Sequence, residues 1–555
     1  VSSLPIQVPY RDILIELQDQ LRMGFATKRM QDWMLAVTTA LPTYQPLVVT
    51  DFGAGGNGTR DDTPALQKAV NQAAANGGGT IIIPPGTYAI GSVQTPTGDT
   101  PITLLGAGSA TILKRRADLA DGAGLLDILG SNVTLDSLVI DGDVTTPAGL
   151  LYNGGFTGSV PNDPMASSLT KNTSVWLHGP ARNFLAQRVT WQHSGGYAVL
   201  IDATSGGISD VRLLDCLLQN CRPHLFGITA GQELYGSWTG GIHVQGDGRL
   251  ANAGRVLRSF AVERCRFLRM TGNALWSHSY GLDELHEDFR FFANYFLDVG
   301  LDGIEVGAVT GGAVSGNVFR RIGYVTMTDS DQSVPRWLQN LNATALDSSG
   351  LVKGVPYEGN SFLSVNGGNL DLDSHGYSVI AGNVCRIPYP GESEYDEDQI
   401  AISGPMNNGS YSYGVNLSNS SNTPWGAVNI TLAGNSFINL RAGAARLFAA
   451  RRCTFTANDI IASDNSVYPP VGLGPIGPGP NQRCYENRVA HNKIHYAPAA
   501  AAPAVIEDET MGAFTAAEAN SVFGNCPIGG NGLATEFHPS PNSGSVHYTE
   551  QVWFV

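Results

Sequence analysis

The chain has 555 residues, enough for a large core and more than one domain. Hydrophobic residues make up 42% and charged residues only 15%, with 67 Gly and 30 Pro, a balance that points to many short strands and turns. A net charge of −15 and a pI near 5.1 argue against nucleic acid or an anionic membrane as partner. No apolar run reaches the ~18 residues of a membrane span, so none is expected. The N-terminal residues show no basic-then-apolar leader, so a signal has been removed or never existed. Seven Cys are scattered without a CxxC pair, which argues against zinc. Their odd number leaves at least one free or paired between chains.

Residues 1–45 stand apart from the rest. Ile13, Leu17 and Leu21 recur at near-helical spacing among few glycines, which predicts one or two helices ending before Pro42. They serve either as a packing segment or as an oligomerising neck. From residue 46 a strand, a Gly-rich turn and Thr63-Pro64 follow. Thr63 is the expected N-cap and Pro64 the first helical residue, with the helix running to about Ala75. "GGGTIIIPPGTY" then gives a turn and a buried strand. The Gly-rich turn lacks the GK[ST] of a phosphate loop.

From about 100 to 495 a short pattern recurs, starting at Cys216, Cys265, Asn294, Asn317, Asn360, Asn383, Asn435, Cys453 and Asn492. Each start is followed two residues on by an apolar or aromatic residue. Five of the nine are Asn preceded by Gly or Ala. Stacked Asn can pass side-chain amide hydrogen bonds from coil to coil, and Cys replaces it as a small buried group. Several spacings fall at 23 to 29 residues, the size of one β-helix coil. The segment 325–358, with Arg336 and Trp337, breaks the rhythm and reads as an insertion walling a groove. After 495 the pattern decays, and 496–555 reads as a cap or partner contact.

Nine residues beyond the apolar anchor lies a second column. Trp191 leads to Leu200, Phe267 to Trp276, Phe296 to Glu305 and Phe362 to Asp371. With "VWLH" and "IHVQ" these form one row of strands. Alternation sends Val175, Leu177, Val199, Ile201, Ile242, Val244, Ile304, Val306, Leu370 and Leu372 to the core. The opposite face then carries Trp176, His178, Asp202, His243, Gln245, Trp276, His278, Glu305, Asp371 and Asp373. Such a mixture of acid, imidazole and indole marks a site rather than a merely solvated face.

Glycoside hydrolysis requires one carboxylic acid and one carboxylate. Glu305, Asp371 and Asp373 are the candidates, with Asp302, in a turn ahead of the strand, behind them. Trp176, His178, Asp202, His243, Gln245, Trp276, His278 and Tyr280 are the expected substrate-binding residues. Asp298 reads as a loop acid. If a regular coil separates Glu305 from Asp371 they lie about 10 Å apart, suiting inversion; if none does, about 5 Å, suiting retention. "DLDSHG" and "DSDQ" are not diagnostic of a metal site, and neither a metal nor a cofactor is expected.

The stretch from 46 to about 90 resembles the opening segment of pectate-lyase-like proteins, in which a short helix caps a right-handed parallel β-helix. That resemblance implies an all-β solenoid with a capping helix over 46–495. The whole plan, with its helical lead-in and long loops, looks like bacteriophage tailspike depolymerases. This implies a homotrimer, an extracellular or virion-surface location and a polysaccharide substrate. A separate stretch, "YGLDELHE", resembles the Tyr-Gly-Phe-Asp-Pro-His-Glu motif of mannuronan C5-epimerases. The implied catalytic residues are Tyr280, Asp283 and His286, although this chain has one residue inserted and lacks the Pro. Lyase or epimerase chemistry on a uronic acid is therefore an alternative to hydrolysis. A non-catalytic glycan-binding fibre is a third.

Overall fold

The structure is a computed structural model. It describes residues 46–116, 123–143, 173–221, 240–270, 272–326, 337–339, 343–389, 392, 413–419, 426–440, 442–462, 470–474, 484–495, 505–508, 520–523, 525–528 and 536–538. The helices expected in 1–45, together with Arg336 and the "DSDQ" stretch, lie outside these residues.

The described chain is a right-handed parallel β-helix. Its strands form one 15-stranded sheet and one 29-stranded sheet in which two ladders run side by side. Strands of one ladder come from successive coils and pair in parallel, so backbone groups left open by one coil are satisfied by the next. Helix α1 (Thr63–Ala75) packs on the first strands through Ala65, Leu66, Ala69, Val70 and Ala73. It begins one residue earlier than the N-cap reading implied: Asp62 holds the cap position and Thr63 is already helical. The Thr63 hydroxyl instead accepts a hydrogen bond from the Gly91 amide at 2.6 Å.

In the 15-stranded sheet the repeat becomes a continuous core. Phe267, Phe296, Phe319 and Phe362 stand in register. Their rings stack with centroids 4.6, 4.7 and 5.0 Å apart. Beside them runs the asparagine ladder. Asn317 donates from Nδ2 to Asn360 Oδ1 and to the Phe291 carbonyl, both at 3.0 Å. Its Oδ1 accepts the Asn294 amide at 2.9 Å and Asn294 Nδ2 at 3.0 Å. Both donors and both acceptor positions of the amide are therefore used. The residue before each Asn adopts a left-handed conformation, as at Gly316, Gly359, Gly382 and Gly434, which explains the glycine preference there.

Near residue 453 the repeat divides. Asn458, not Cys453, continues the ladder between Asn435 and Asn492. Cys453 starts a second ladder, its amide donating to Asn487 and Asn487 to Asn520. Cys216, Cys221, Cys265, Cys385, Cys453 and Cys484 are buried free thiols.

Parallel pairing also continues past 495. Val505–Asp508, Ser521–Phe523, Cys526–Ile528 and Glu536–His538 each extend a ladder. The solenoid thus runs into the segment read as a cap, and the asparagine ladders run with it to Asn520 and Asn525. No helix among the described residues is long and apolar enough to cross a membrane.

Candidate active site

One ladder of the larger sheet carries the candidate site. Its strands are β1 (Leu126–Ile128), β2 (Val175–His178), β3 (Val199–Asp202), β4 (Ile242–Gly248), β5 (Leu275–Leu282), β6 (Ile304–Ser315), β7 (Thr344–Lys353), β8 (Gly368–Asp373), β9 (Tyr413–Ser418) and β10 (Ala445–Phe448). Register places Asp127, Trp176, Leu200, His243, Trp276, Glu305, Asp347, Asp371, Asn416 and Arg446 in a single row. The flanking residues Ile304, Val306, Leu370 and Leu372 are fully buried in the core, as alternation requires.

The row contains a residue the sequence reading missed. β7 is a regular strand, so a full coil lies between Glu305 and Asp371, and it presents Asp347 between them. Glu305 and Asp371 are two ladder steps apart, about 10 Å, and Asp347 is one step, about 4.8 Å, from each. The expected insertion at 325–358 is correspondingly shorter. Tyr324–Thr326 and Trp337–Gln339 form an antiparallel hairpin, and the solenoid resumes at Thr344. The sequence did carry a signal: "ALDSSGLV" has Leu346 and Ser348 inward around Asp347, the alternation of its neighbours.

The upstream half of the row is closed over rather than exposed. His243 is sandwiched between Tyr197, centroid distance 4.7 Å, and Trp276, at 4.3 Å. The faces of His243 and Trp276 are thereby occupied by each other, and both are buried, as are Trp176, Asp202 and Gln245. These side chains are packed against their neighbours, where the sequence reading expected them to face substrate. Burial, followed by the charge of His278, pulls His243 down to about 3, so it is neutral at ordinary pH. Its Nε2 donates to Gln245 Oε1 at 3.2 Å, and Gln245 Nε2 donates to His278 Nδ1 at 3.3 Å. His278 is only partly buried, and Tyr280 is exposed and edge-on to it at 5.8 Å. At the far upstream end His178 stacks on Trp176 and pairs with Asp127 at 3.2 Å.

The acids have unequal surroundings. Glu305 accepts from Asn273 Nδ2 at 2.7 Å and Ser349 Oγ at 2.8 Å. Burial outweighs these donors and raises Glu305 to about 7. Asp371 accepts from the Tyr413 hydroxyl at 2.8 Å and Asn416 Nδ2 at 3.0 Å. Gly368 makes room for that tyrosine, because a Cβ there would collide with the ring. The Arg446 guanidinium lies 4.9 Å from the Tyr413 ring centroid and stabilises the Asp371 anion, although burial still raises its pKa. Burial and the Asp371 charge push Asp373 up to about 8. Asp347 is raised well above the carboxylate range by burial and then by Asp371, Asp302 and Glu305. Among the described residues no hydrogen bond reaches its carboxyl group.

Asp302 lies off the row, in the turn ahead of β6. Its Oδ1 accepts the Thr344 amide at 2.6 Å and its own amide donates to Asn273 Oδ1 at 3.1 Å. It braces the turn and the asparagine that orients Glu305. Asp298 is not a loop acid; it lies in strand Tyr295–Val299, clamped by Arg321 at 2.5 Å through both oxygens. The residues implied by the epimerase-like motif differ in burial. His286 is fully buried, with Nδ1 accepting the Leu257 amide at 3.0 Å and Nε2 donating to the His278 carbonyl at 3.0 Å. Asp283 accepts the Leu250 amide at 2.9 Å. Tyr280 and Asp283 are exposed. Among the described residues no group of three or more His, Cys, Asp or Glu side chains is arranged to hold a metal ion.

The chain shares part of its length with proteins already described. The family profile described as "Rhamnogalacturonase A/epimerase, pectate lyase-like" matches residues 47–146. Mannuronan C5-epimerase AlgE5 of Azotobacter vinelandii is 34% identical over 131 residues, 21% of this chain and 12% of that protein. Alginate lyase 7 of the same organism is 34% identical over 128 residues, 20% of this chain and 14% of its own length. The match thus spans about an eighth of the length of these relatives. Among solved structures, the pre-mature gene product 12 of bacteriophage phi29 aligns over 94% of this chain and 58% of its own, at 13% identity and a TM-score of 0.42.

Proposed function

We propose that this protein is a glycoside hydrolase that cleaves a bacterial surface or extracellular polysaccharide at the row Glu305–Asp347–Asp371. The observation that carries the reading is the register itself, which brings three carboxyl groups from successive coils onto one face. Their unequal hydrogen bonding separates proton holders from carboxylates, as acid–base hydrolysis of a glycosidic bond requires. Successive coils are spaced by about 4.8 Å, close to the length of one sugar ring, so a glycan lying along the axis sets consecutive sugars over consecutive coils. Tyr280 and His278 flank one side of the acids, Asn416 and Arg446 the other. An extracellular or virion-surface setting and a homotrimer belong to the same proposal; sedimentation of the full chain tests the trimer.

The named relatives support a second reading, in which the substrate is a uronate polymer that is eliminated or epimerised. One experiment separates the readings. The full chain is incubated with capsular polysaccharides, O-antigens and alginate. Product size, reducing ends and ultraviolet absorbance of unsaturated ends are then followed. Hydrolysis gives new reducing ends without absorbance. Absorbing ends identify a lyase, an altered uronate ratio at constant length identifies an epimerase, and binding without change identifies a glycan-binding fibre; any of these overturns the hydrolase.

A further inference from the structure

We propose that Asp347 is the general acid of this site and Asp371 the carboxylate that attacks; the assignment rests on the hydrolase reading above. Three observations support it. Asp347 occupies the central position, one ladder step from both other acids. Its neighbours are held by donors: Asn273 and Ser349 on Glu305, Tyr413 and Asn416 on Asp371. Donors to carboxylate oxygens favour the anion. Asp347 has no such partner among the described residues, and it lies between two groups that do. Three carboxyl groups at this spacing cannot all ionise, so the proton settles where no donor competes for the oxygens. A proton held there is also free to be given, because its O–H is not committed to a fixed acceptor.

The chemistry follows in two balanced steps. Asp347 passes its proton to the bridging oxygen as the C1–O bond breaks, the bond's electron pair stays with the leaving alcohol, and an Asp371 oxygen bonds to C1. Water then adds to C1, the ester bond to Asp371 breaks and restores its carboxylate, and the water's proton returns to Asp347. The one-step spacing of about 4.8 Å matches the close pair of such a double displacement (about 5–5.5 Å).

The first test uses no substrate. Infrared difference spectra at neutral pH, wild type minus Asp347→Asn, should show the carbonyl band of a protonated carboxyl group. Carboxylate bands in its place overturn the proposal, whatever the fate of the hydrolase reading. The second test uses a polysaccharide that the wild type cleaves. Asp347→Asn should lose 10²- to 10⁴-fold in kcat, with an unchanged melting temperature showing that it folds. Asp347→Glu should recover part of that loss with a displaced alkaline limb in the pH profile. The first-formed reducing end should keep the configuration of the bond cleaved. Inversion, or full activity in Asp347→Asn, overturns the assignment while leaving hydrolysis itself intact.

Discussion

Two columns of polar side chains run along this solenoid, and they are built on opposite terms. In the asparagine ladder every amide donor and acceptor meets a partner within about one coil, at 2.9 to 3.0 Å around Asn317. In the acid row, groups of like charge are stacked by the same register, and one of them, Asp347, is left without a donor among the described residues. The solenoid geometry is the same in both. What differs is whether the side chain's chemistry is complementary to its own copy one coil away. An amide is, and the column stabilises. A carboxylate is not, and the column stores a proton. The contrast predicts that the two columns fail in different ways when cut.

The largest expected effect is on activity. Asp371→Asn and Glu305→Gln should each lower cleavage by about 10³-fold or more, with melting temperatures equal to or above the wild type. Neutralising an acid in a like-charged row relieves repulsion, so stability should not fall. A melting temperature that drops in both variants would mean that the acid row supports the fold as the asparagine ladder does, and the contrast would collapse.

Next comes the opposite cut. Asn317→Ala leaves the Asn294 amide, one Asn294 Nδ2 hydrogen and the Phe291 carbonyl without their partners. At roughly 1 kcal/mol for each buried group, the loss is about 3 kcal/mol. Denaturant unfolding should show it, while the folded fraction keeps the wild-type kcat.

These outcomes also bear on what could be read from sequence. The ladder was legible because its signal is local: Asn after Gly or Ala, two residues before a Phe, repeated at coil length. The inward face of the site strands was legible because Ile304, Val306, Leu370 and Leu372 alternate. Three things were not. Asp347 was hidden because counting nine residues on from Phe319 reaches Thr328, well short of the strand that carries it. Burial of His243 and Trp276 was hidden because alternation reports which side of a sheet a residue takes, not whether another ring already covers it. The ladder beyond 495 was hidden because Asn520 and Asn525, although preceded by Ala and Gly, follow Asn487 and Asn492 at 33 residues, outside the 23 to 29 from which the repeat was read.

A third prediction concerns pH and sharpens the contrast in stability alone. Glu305 is raised from 4.5 to about 7 and Asp373 from 3.8 to about 8, both first by burial. The folded state therefore holds protons that the unfolded chain has already released. Stability from these groups is full below their unfolded values and is lost as pH rises through the folded ones. The buried His243, His286 and His375 are depressed from 6.5, so they oppose this trend only at lower pH. Between pH 6.5 and the Asp373 value the melting temperature should fall, and Asp373→Asn should flatten the slope. Asn317→Ala should shift the curve down without changing its slope, since no proton is involved.

The smallest effect tests where the row ends. Tyr280 is exposed, edge-on to His278 and 6.0 Å from the Arg249 guanidinium. As a sugar platform beside the acids it contributes to binding in the ground state and the transition state alike. Tyr280→Ala should then raise KM roughly fivefold, about 1 kcal/mol of ring contact, with kcat unchanged and stability within about 0.5 kcal/mol of wild type. A collapse in kcat with KM unchanged would instead make the phenol a participant in proton transfer. That result would move the chemistry upstream of Glu305, towards uronate elimination or epimerisation, and would leave the acid row as a binding surface.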